Sequence, residues 1–281
     1  MSKISIITIN YNSALATLKM VESVRQKSSQ DFEIIIVDNN SEYDDFEKLL
    51  ILNGIDNIKI VRSRLNLGFS GGNMLGVQRA SDESSYYLFL NNDTVILNDV
   101  LGMLRGVCEA DAEIGLVSAQ QYNEDNKMIS SFGVFPNIAE KVLGKWLARA
   151  LSVTKIYNSK KVYNHLITVG VHSNFRIHIY PFCYMCWIFQ NFHIGTAKLL
   201  HYCGKSTKRG YEIEREFLIS YFRLLNKHLP IFERGILKTL FFIKYLKKTI
   251  KNKNNIRLLL FILNTNKSRH SLRYTQKMAN K

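Results

Sequence analysis

The residues best suited to chemistry lie at Asn91-Asn92-Asp93-Thr94, directly after the apolar, aromatic run Tyr86-Tyr87-Leu88-Phe89-Leu90. Such a run has strand character, and in an α/β sheet ligands sit just outside the carboxyl ends of strands. A lone carboxylate at that place can hold a hard divalent cation, and the cation can in turn hold phosphates. Asn and Asp are also ordinary turn formers, so the cluster gains meaning only from its company. That company is a series of similar polar endings at Asn10-Tyr11-Asn12-Ser13, at Asp38-Asn39-Asn40-Ser41 and at Asn66-Leu67-Gly68-Phe69-Ser70-Gly71-Gly72-Asn73. Asp38 has the chemistry to accept the donors of a base or ribose. Glycines 68, 71 and 72 would let backbone pass close to a ligand and set a helix N-terminus beside it. Their spacing fits neither the dinucleotide fingerprint nor the P-loop. Gly204-Lys205-Ser206-Thr207 imitates a P-loop ending, but Leu199 stands where a glycine is needed.

The elements that must position these groups alternate. Ile4–Ile9 and Phe32–Val37 are short, β-branched runs expected of strands buried on both faces. Ile58–Val61, the run ending at Leu90, and Ile114–Ser118 follow. Helices are expected from Asn12 or Ser13, as cap, to about Gln26, near Asp44–Asn53, from the glycine loop through Ala80, and over Asp99–Ala110. In the first of these, Leu15, Leu18, Val21 and Val24 supply one apolar face. Strand–helix alternation of this kind predicts right-handed βαβ units and a mostly parallel sheet.

At 281 residues the chain can bury a sizeable core. Four cysteines (Cys108, Cys183, Cys186, Cys203) and no apparent signal peptide point to a reducing, cytoplasmic setting. The net charge of +15 is confined to the C-terminal part: residues 1–200 carry 19 Lys and Arg against 19 Asp and Glu, and residues 201–281 carry 19 against 4. With no recognition motif on the neutral body, nucleic acid is not an expected partner.

Taken together, Ile7-Thr8-Ile9-Asn10-Tyr11-Asn12, Val37-Asp38-Asn39-Asn40-Ser41, the Asn66–Asn73 loop and Leu90-Asn91-Asn92-Asp93-Thr94 resemble a family-2 glycosyltransferase of the GT-A fold. The order and spacing agree over roughly the first 120 residues. His201-Tyr202-Cys203-Gly204-Lys205-Ser206-Thr207 resembles the family's distal histidine motif. The Phe135-Pro136 region and the segment after Gly204 look most like rhamnosyltransferase-type members, which build bacterial surface polysaccharides. The resemblance implies a Rossmann-like, mostly parallel sheet flanked by helices over residues 1–205, with a donor half (1–120) and an acceptor half (121–205), and a basic helical tail over 206–281. It implies that Thr8, Asn10, Tyr11, Asn12, Asp38 and Asn40 line the nucleotide. Asn66, Gly68, Gly71, Asn73, Asn91 and Asn92 would shape the rest of the donor pocket. Asp93, Asn91 and His201 would hold Mg²⁺ or Mn²⁺ on the diphosphate, Asn91 replacing the first acid of the family's Asp-x-Asp motif. The donor would be a nucleotide-diphospho-sugar, the acceptor a saccharide or lipid-linked saccharide, and the reaction inverting.

One expected part is missing. An inverting transferase needs a carboxylate to take the acceptor hydroxyl's proton, yet no Asp or Glu occurs from Lys141 to Tyr211. The segment His172–Phe189 also matches nothing in the family. Three readings compete: a reading-frame slip or small deletion leaving a catalytically impaired donor-binding relative, a base recruited from Glu212 or Glu214, or a zinc site from Cys183, Cys186, His201 and Cys203.

In the tail, apolar residues recur at helical spacing between lysines, as in Ile236, Leu237, Leu240, Phe241 and Ile243 beside Lys238 and Lys244. No run is long enough to span a bilayer. A basic amphipathic helix of this kind is expected at an anionic membrane surface, which would make the protein peripheral at the inner face of the cell membrane. The remaining alternative is a basic membrane-surface protein without transferase activity.

Overall fold

The computed structural model describes residues 2–129, 132–134, 162–164, 169–171, 190–202 and 210–263. The segment 172–189, Cys183, Cys186, Cys203 and the Phe135-Pro136 region lie outside the described residues, as does the side chain of Glu212. The chain divides into two compact units, one holding residues 1–133 and 161–207, the other 208–277 with 134–160.

In the first unit, β1 (Lys3–Asn10), β2 (Phe32–Asp38), β3 (Ile58–Arg62) and β4 (Ser84–Phe89) alternate with α1 (Ala14–Lys27), α2 (Tyr43–Leu49) and α3 (Gly68–Val77). β5 (Thr94–Ile96), α4 (Val100–Ala110) and β6 (Ile114–Tyr122) follow, then the short β7 (Met128–Ile129), β8 (Phe132–Val134), β9 (Val162–Asn164) and β10 (Val169–Val171), and last β11 (Gln190–His201). The main sheet has the order β3-β2-β1-β4-β10-β6-β11-β5. β1 pairs in parallel with β2 and β4, β2 with β3, and β6 with β11. The antiparallel members are β10, wedged between β4 and β6, β5, laid on the end of β11, and the short β7, which pairs with the end of β6. The expected mostly parallel sheet flanked by helices is what forms.

The sheet core follows from the strand sequences. Ile34, Ile35, Ile36 and Val37 are all fully buried, because helices cover both faces. One face packs Ile4, Ile6, Ile34, Ile36 and Leu88 against α1 and α4, and the other packs Ile7, Ile35 and Val37 against α3. Gly72 and Gly76 permit the second contact: a Cβ on Gly72 would stand 2.9 Å from Ile9 Cδ1, and one on Gly76 would run into Ile7. Gly72 thus serves helix-to-sheet packing, where ligand approach was expected. Gly68 has φ +70 with open space around it, the left-handed geometry glycine allows where the loop turns into α3. Far from the polar strand tips, near the start of β2, Glu33 is buried and held by the Ser5 hydroxyl (2.6 Å), the Ser81 N–H (2.6 Å) and Lys59 (2.9 Å).

Three local expectations need correction. Leu15 is 65 % exposed, on the far side of α1 from its buried face of Ala14, Thr17, Met20, Val21 and Val24, against which Leu18 packs at the margin. Ser13 stands at the N-cap but its hydroxyl does not cap. The Asp45 carboxylate does so from α2, accepting the Ala14 N–H at 3.0 and 3.2 Å. The strand expected to stop at Ser118 runs on to Tyr122, extended by its ladder with β11.

In the second unit, α5 (Tyr211–His228), α6 (Ile231–Lys251) and α7 (Ile256–Leu263) enclose a core of Leu218, Phe222, Leu225, Leu237, Phe241, Tyr245, Leu258 and Phe261. Among the described residues no helix is long and apolar enough to cross a membrane.

Candidate functional site

Asn10 is the hub at the tips of β1 and β2. Its register partner is Asp38, and its amide nitrogen donates to Asp38 Oδ1 (3.0 Å), Ser41 Oγ (3.1 Å) and Asp45 Oδ2 (3.0 Å). Its side-chain oxygen accepts from the Thr17 hydroxyl at 2.8 Å. Thr17 accepts from Asn92 Nδ2 at 2.9 Å, and the same nitrogen reaches Ser13 Oγ at 2.7 Å. A continuous chain of buried polar groups therefore runs from the end of β2, through β1 and the first turn of α1, to the residue before Asp93. Each member is hydrogen-bonded, as burial demands.

The loops above this chain are fixed the same way. Asn12 and Asn40 have φ of 49 and 68, positions in the left-handed region that asparagine tolerates. Asn12 accepts the Glu42 N–H at 2.8 Å, and its own N–H goes to Ser41 Oγ at 2.9 Å. Asn39 bridges to the glycine loop: its nitrogen donates to Asn66 Oδ1 (2.9 Å) and its oxygen accepts from the Leu67 N–H (2.8 Å). Asn66 Oδ1 also takes the Gly68 N–H at 2.9 Å. Tyr11 at the end of β1 is 40 % exposed, Asn73 on α3 is buried and Gly71 half-buried. Asp38 is fully buried. Beyond Asn10 it accepts from the Ser41 N–H (3.3 Å) and lies 3.5 Å from Arg62 Nε. The Arg62 guanidinium rests 4.2 Å above the Phe46 ring. Thr8 is also fully buried, on the β1 face that alternates with Ile6 and Asn10 toward α1, and its hydroxyl has no partner.

Asp93 and His201 are 108 positions apart and are joined by the β5–β11 ladder, in which His201 pairs with Thr94 and the Asp93 carbonyl accepts the Tyr202 N–H at 2.9 Å. Their side chains meet with His201 Nε2 3.1 Å from Asp93 Oδ1, both residues buried at 7 % and 5 % exposure. The two groups face each other as a buried hydrogen-bonded pair, an imidazole and a carboxylate, both donor types that a divalent cation accepts. Among the described residues no group of three or more His, Cys, Asp and Glu gathers. The pair, with partly buried Asn91 two residues before Asp93, suits a cation that takes one or two protein carboxylates and completes its shell with phosphate oxygens and water. The residues present therefore fit Mg²⁺ or Mn²⁺.

Glu214 lies on α5 in the second unit, where Lys248 Nζ approaches it to 2.6 Å and the Tyr245 hydroxyl to 3.4 Å. Burial and this carboxylate together push the Tyr245 hydroxyl well above its ordinary range. Sequence reading missed Thr17, Asp45, Asn39 and Arg62 as parts of the site. The one available signal was a threonine seven residues after Asn10 on the buried side of a helix, which also reads as ordinary packing.

The family profile described as "Glycosyl transferase family 2" matches residues 5–166, more than half of the chain. Comparison with curated protein sequences returns no match. Among solved structures, residues 1–349 of S. aureus TarS in complex with UDP-GlcNAc align with a TM-score of 0.51 at 15 % identity, over 85 % of this chain and 71 % of that one. GalNAc-T7 with UDP, GalNAc and Mn²⁺ aligns with a TM-score of 0.52 at 13 % identity, over 72 % of this chain and 44 % of that one. A longer S. aureus TarS structure gives 0.50 at 13 % identity, and the alignment spans only 43 % of its length. These structural likenesses bear out the expected architecture, a mostly parallel GT-A sheet flanked by helices. On the profile match, the chain belongs to glycosyl transferase family 2.

Proposed function

We propose that the protein moves a glycosyl residue, with inversion, from a nucleotide-diphospho-sugar to a saccharide or lipid-linked saccharide acceptor. The observation that carries the reading is the meeting of Asp93 and His201 beside the buried Asn10–Thr17–Asn92 chain, at the edge where the strands end. Asp93 and His201 would hold Mg²⁺ or Mn²⁺, with Asn91 adjacent. Bound there, the cation supplies charge to offset the negative charge that grows on the leaving diphosphate. The chain's own work is positioning. Asn92 ties the Asp93 loop to α1, Asn39 ties the glycine loop to β2, and Tyr11, Asn12, Asn40, Gly68 and Gly71 sit on the loops that would face the nucleotide. UDP-sugars are the first donors to test, since TarS is bound to UDP-GlcNAc and GalNAc-T7 to UDP and GalNAc. The likeness to rhamnosyltransferase-type members adds rhamnosyl donors and acceptors of bacterial surface polysaccharide. The basic C-terminal unit favours a peripheral place at an anionic membrane, where a lipid-linked acceptor would lie.

A second reading, donor binding with impaired turnover, is favoured by two observations: no Asp or Glu lies between 141 and 211, and Glu214 is engaged by Lys248. One experiment separates the readings. Nucleoside diphosphate release is measured with UDP- and dTDP-sugars, Mn²⁺ and short saccharide acceptors, alongside donor affinity by calorimetry. The transferase reading expects release that Asp93→Asn lowers by orders of magnitude. Donor affinity without release supports the impaired relative. No affinity for any nucleotide sugar, with Mn²⁺ present, overturns both.

A further inference from the structure

The second unit is apolar on two opposite sides. Helix α6 buries Leu237, Phe241 and Tyr245 in the core shared with α5 and α7. Its opposite side carries Phe232, Ile243 and Ile250, which are 75 %, 41 % and 76 % exposed. At 3.6 residues per turn these three fall within about 20° of one another around the axis, so they form one stripe along the helix. α7 repeats the arrangement. Leu258, Phe261 and Ile262 are buried, while Ile256, Leu260 and Leu263, at i, i+4 and i+7, are 49 %, 59 % and 62 % exposed. An apolar stripe of this length on a helix that already has a buried face needs a further occupant.

The charges beside the stripes indicate which occupant. From Ile243 to Leu263 the chain has six Lys and Arg and no acid, and residues 264–281 add five more, again with no acid. Lys248 turns to Glu214, while Lys244, Lys247, Lys251, Lys253 and Arg257 are exposed. A second copy of the chain on this face would bring like charges together. An anionic bilayer would neutralise them, and its hydrocarbon boundary would accept the apolar side chains.

We propose that the outward stripes of α6 and α7, with their lysine rim, form a docking surface for an anionic lipid bilayer, on which the helices lie in the interface plane. The inference rests on the reading of the C-terminal unit as membrane-facing and narrows it to named side chains. It leaves the α5-facing side of α6 as the unit's own core.

The test is co-sedimentation of the full chain with phosphatidylcholine vesicles, with and without phosphatidylglycerol, at low and high salt. Binding is expected only to the anionic vesicles, with release at high salt. Ile243→Asp and Ile250→Asp should each lower partitioning about tenfold or more, and Lys247→Gln and Lys251→Gln each about fivefold. All four positions are exposed, so helix content by circular dichroism and Mn²⁺-dependent nucleotide affinity should stay as in the parent. That separates failed docking from failed folding, and from failure of the transferase reading. The proposal is overturned if the parent chain ignores anionic vesicles, or if the Asp variants bind them as the parent does. It is likewise overturned if a polynucleotide outcompetes the vesicles at equal salt, or if the Asp variants dissolve a dimer of the parent.

Discussion

Replacing Asn10 by alanine is the sharpest probe of how the site is held. Asn10 is fully buried, and its amide nitrogen lies 3.0 Å from Asp38 Oδ1, 3.1 Å from Ser41 Oγ and 3.0 Å from Asp45 Oδ2, while its oxygen takes the Thr17 hydroxyl at 2.8 Å. Alanine removes a donor from two carboxylates and an acceptor from one hydroxyl. A hydrogen bond to a charged group contributes about 1.5–3 kcal/mol and a neutral one about 0.5–1.5 kcal/mol. Some compensation remains, because Asp45 keeps the Ala14 N–H, Asp38 keeps the Ser41 N–H and Arg62, and Thr17 has the Ser13 carbonyl 3.4 Å away. Taking the lower end for each lost bond gives a destabilisation of about 3–4 kcal/mol, a large part of the roughly 5–15 kcal/mol that holds an ordinary domain. Urea unfolding followed by circular dichroism should show a lower midpoint with an unchanged slope. Asn10→Asp should also destabilise, by setting a third carboxylate between Asp38 and Asp45. A loss below about 1 kcal/mol for Asn10→Ala would refute the reasoning, since it would mean that water already satisfies these groups.

Three further outcomes follow from the same geometry. Thr8→Val removes a fully buried hydroxyl that has no partner at nearly constant volume, so urea unfolding should find it neutral or stabilising by up to about 1 kcal/mol. Gly76→Ala should cost about 1–3 kcal/mol by overpacking, because its Cβ would meet Ile7 on β1 and come to 3.3 Å from Val37 on β2. For Glu33, burial alone would raise the carboxyl, but the Ser5 hydroxyl, Lys59 and the Ser81 N–H outweigh it and hold it below its ordinary 4.5. Its stabilising contribution is therefore complete above that value and fades as pH falls through the lowered one. The difference in unfolding free energy between the parent and Glu33→Gln, largest near neutrality, should shrink in acid.

Much of this was legible in the residues before any coordinates. β-branched runs ending in Asn, Asp and Ser announced both the strands and the edge where their polar tips gather, because a strand buried on both faces leaves its sequence no other composition. Asp93 and His201 were legible as separate motifs, but their approach to 3.1 Å depends on the antiparallel β5–β11 ladder, and nothing local in Thr94–Ile96 marks a three-residue strand. Long-range substitutions of role were hidden as well. Ser13 has the identity of a cap, yet Asp45, 31 positions from Ala14, does the capping, while the Ser13 hydroxyl accepts from Asn92 and donates to the Tyr11 carbonyl. Leu15 looked like core because leucine usually is, but it follows Ala14 and precedes the Thr17–Met20–Val21 face, so it points to solvent. Gly72 looked like a ligand-facing glycine and is a packing one, a distinction set by Ile9 on a strand 63 positions earlier.

The central claim is that Asp93, with His201, anchors a cation on which a diphosphate is held. Titrating Mn²⁺ into the protein by electron paramagnetic resonance, with and without UDP, tests it most directly. The account predicts that UDP markedly increases bound Mn²⁺ in the parent chain, and that Asp93→Ala abolishes this increase while the helix and strand content stays unchanged. Mn²⁺ uptake that is indifferent to UDP, or that survives the loss of Asp93, would contradict it.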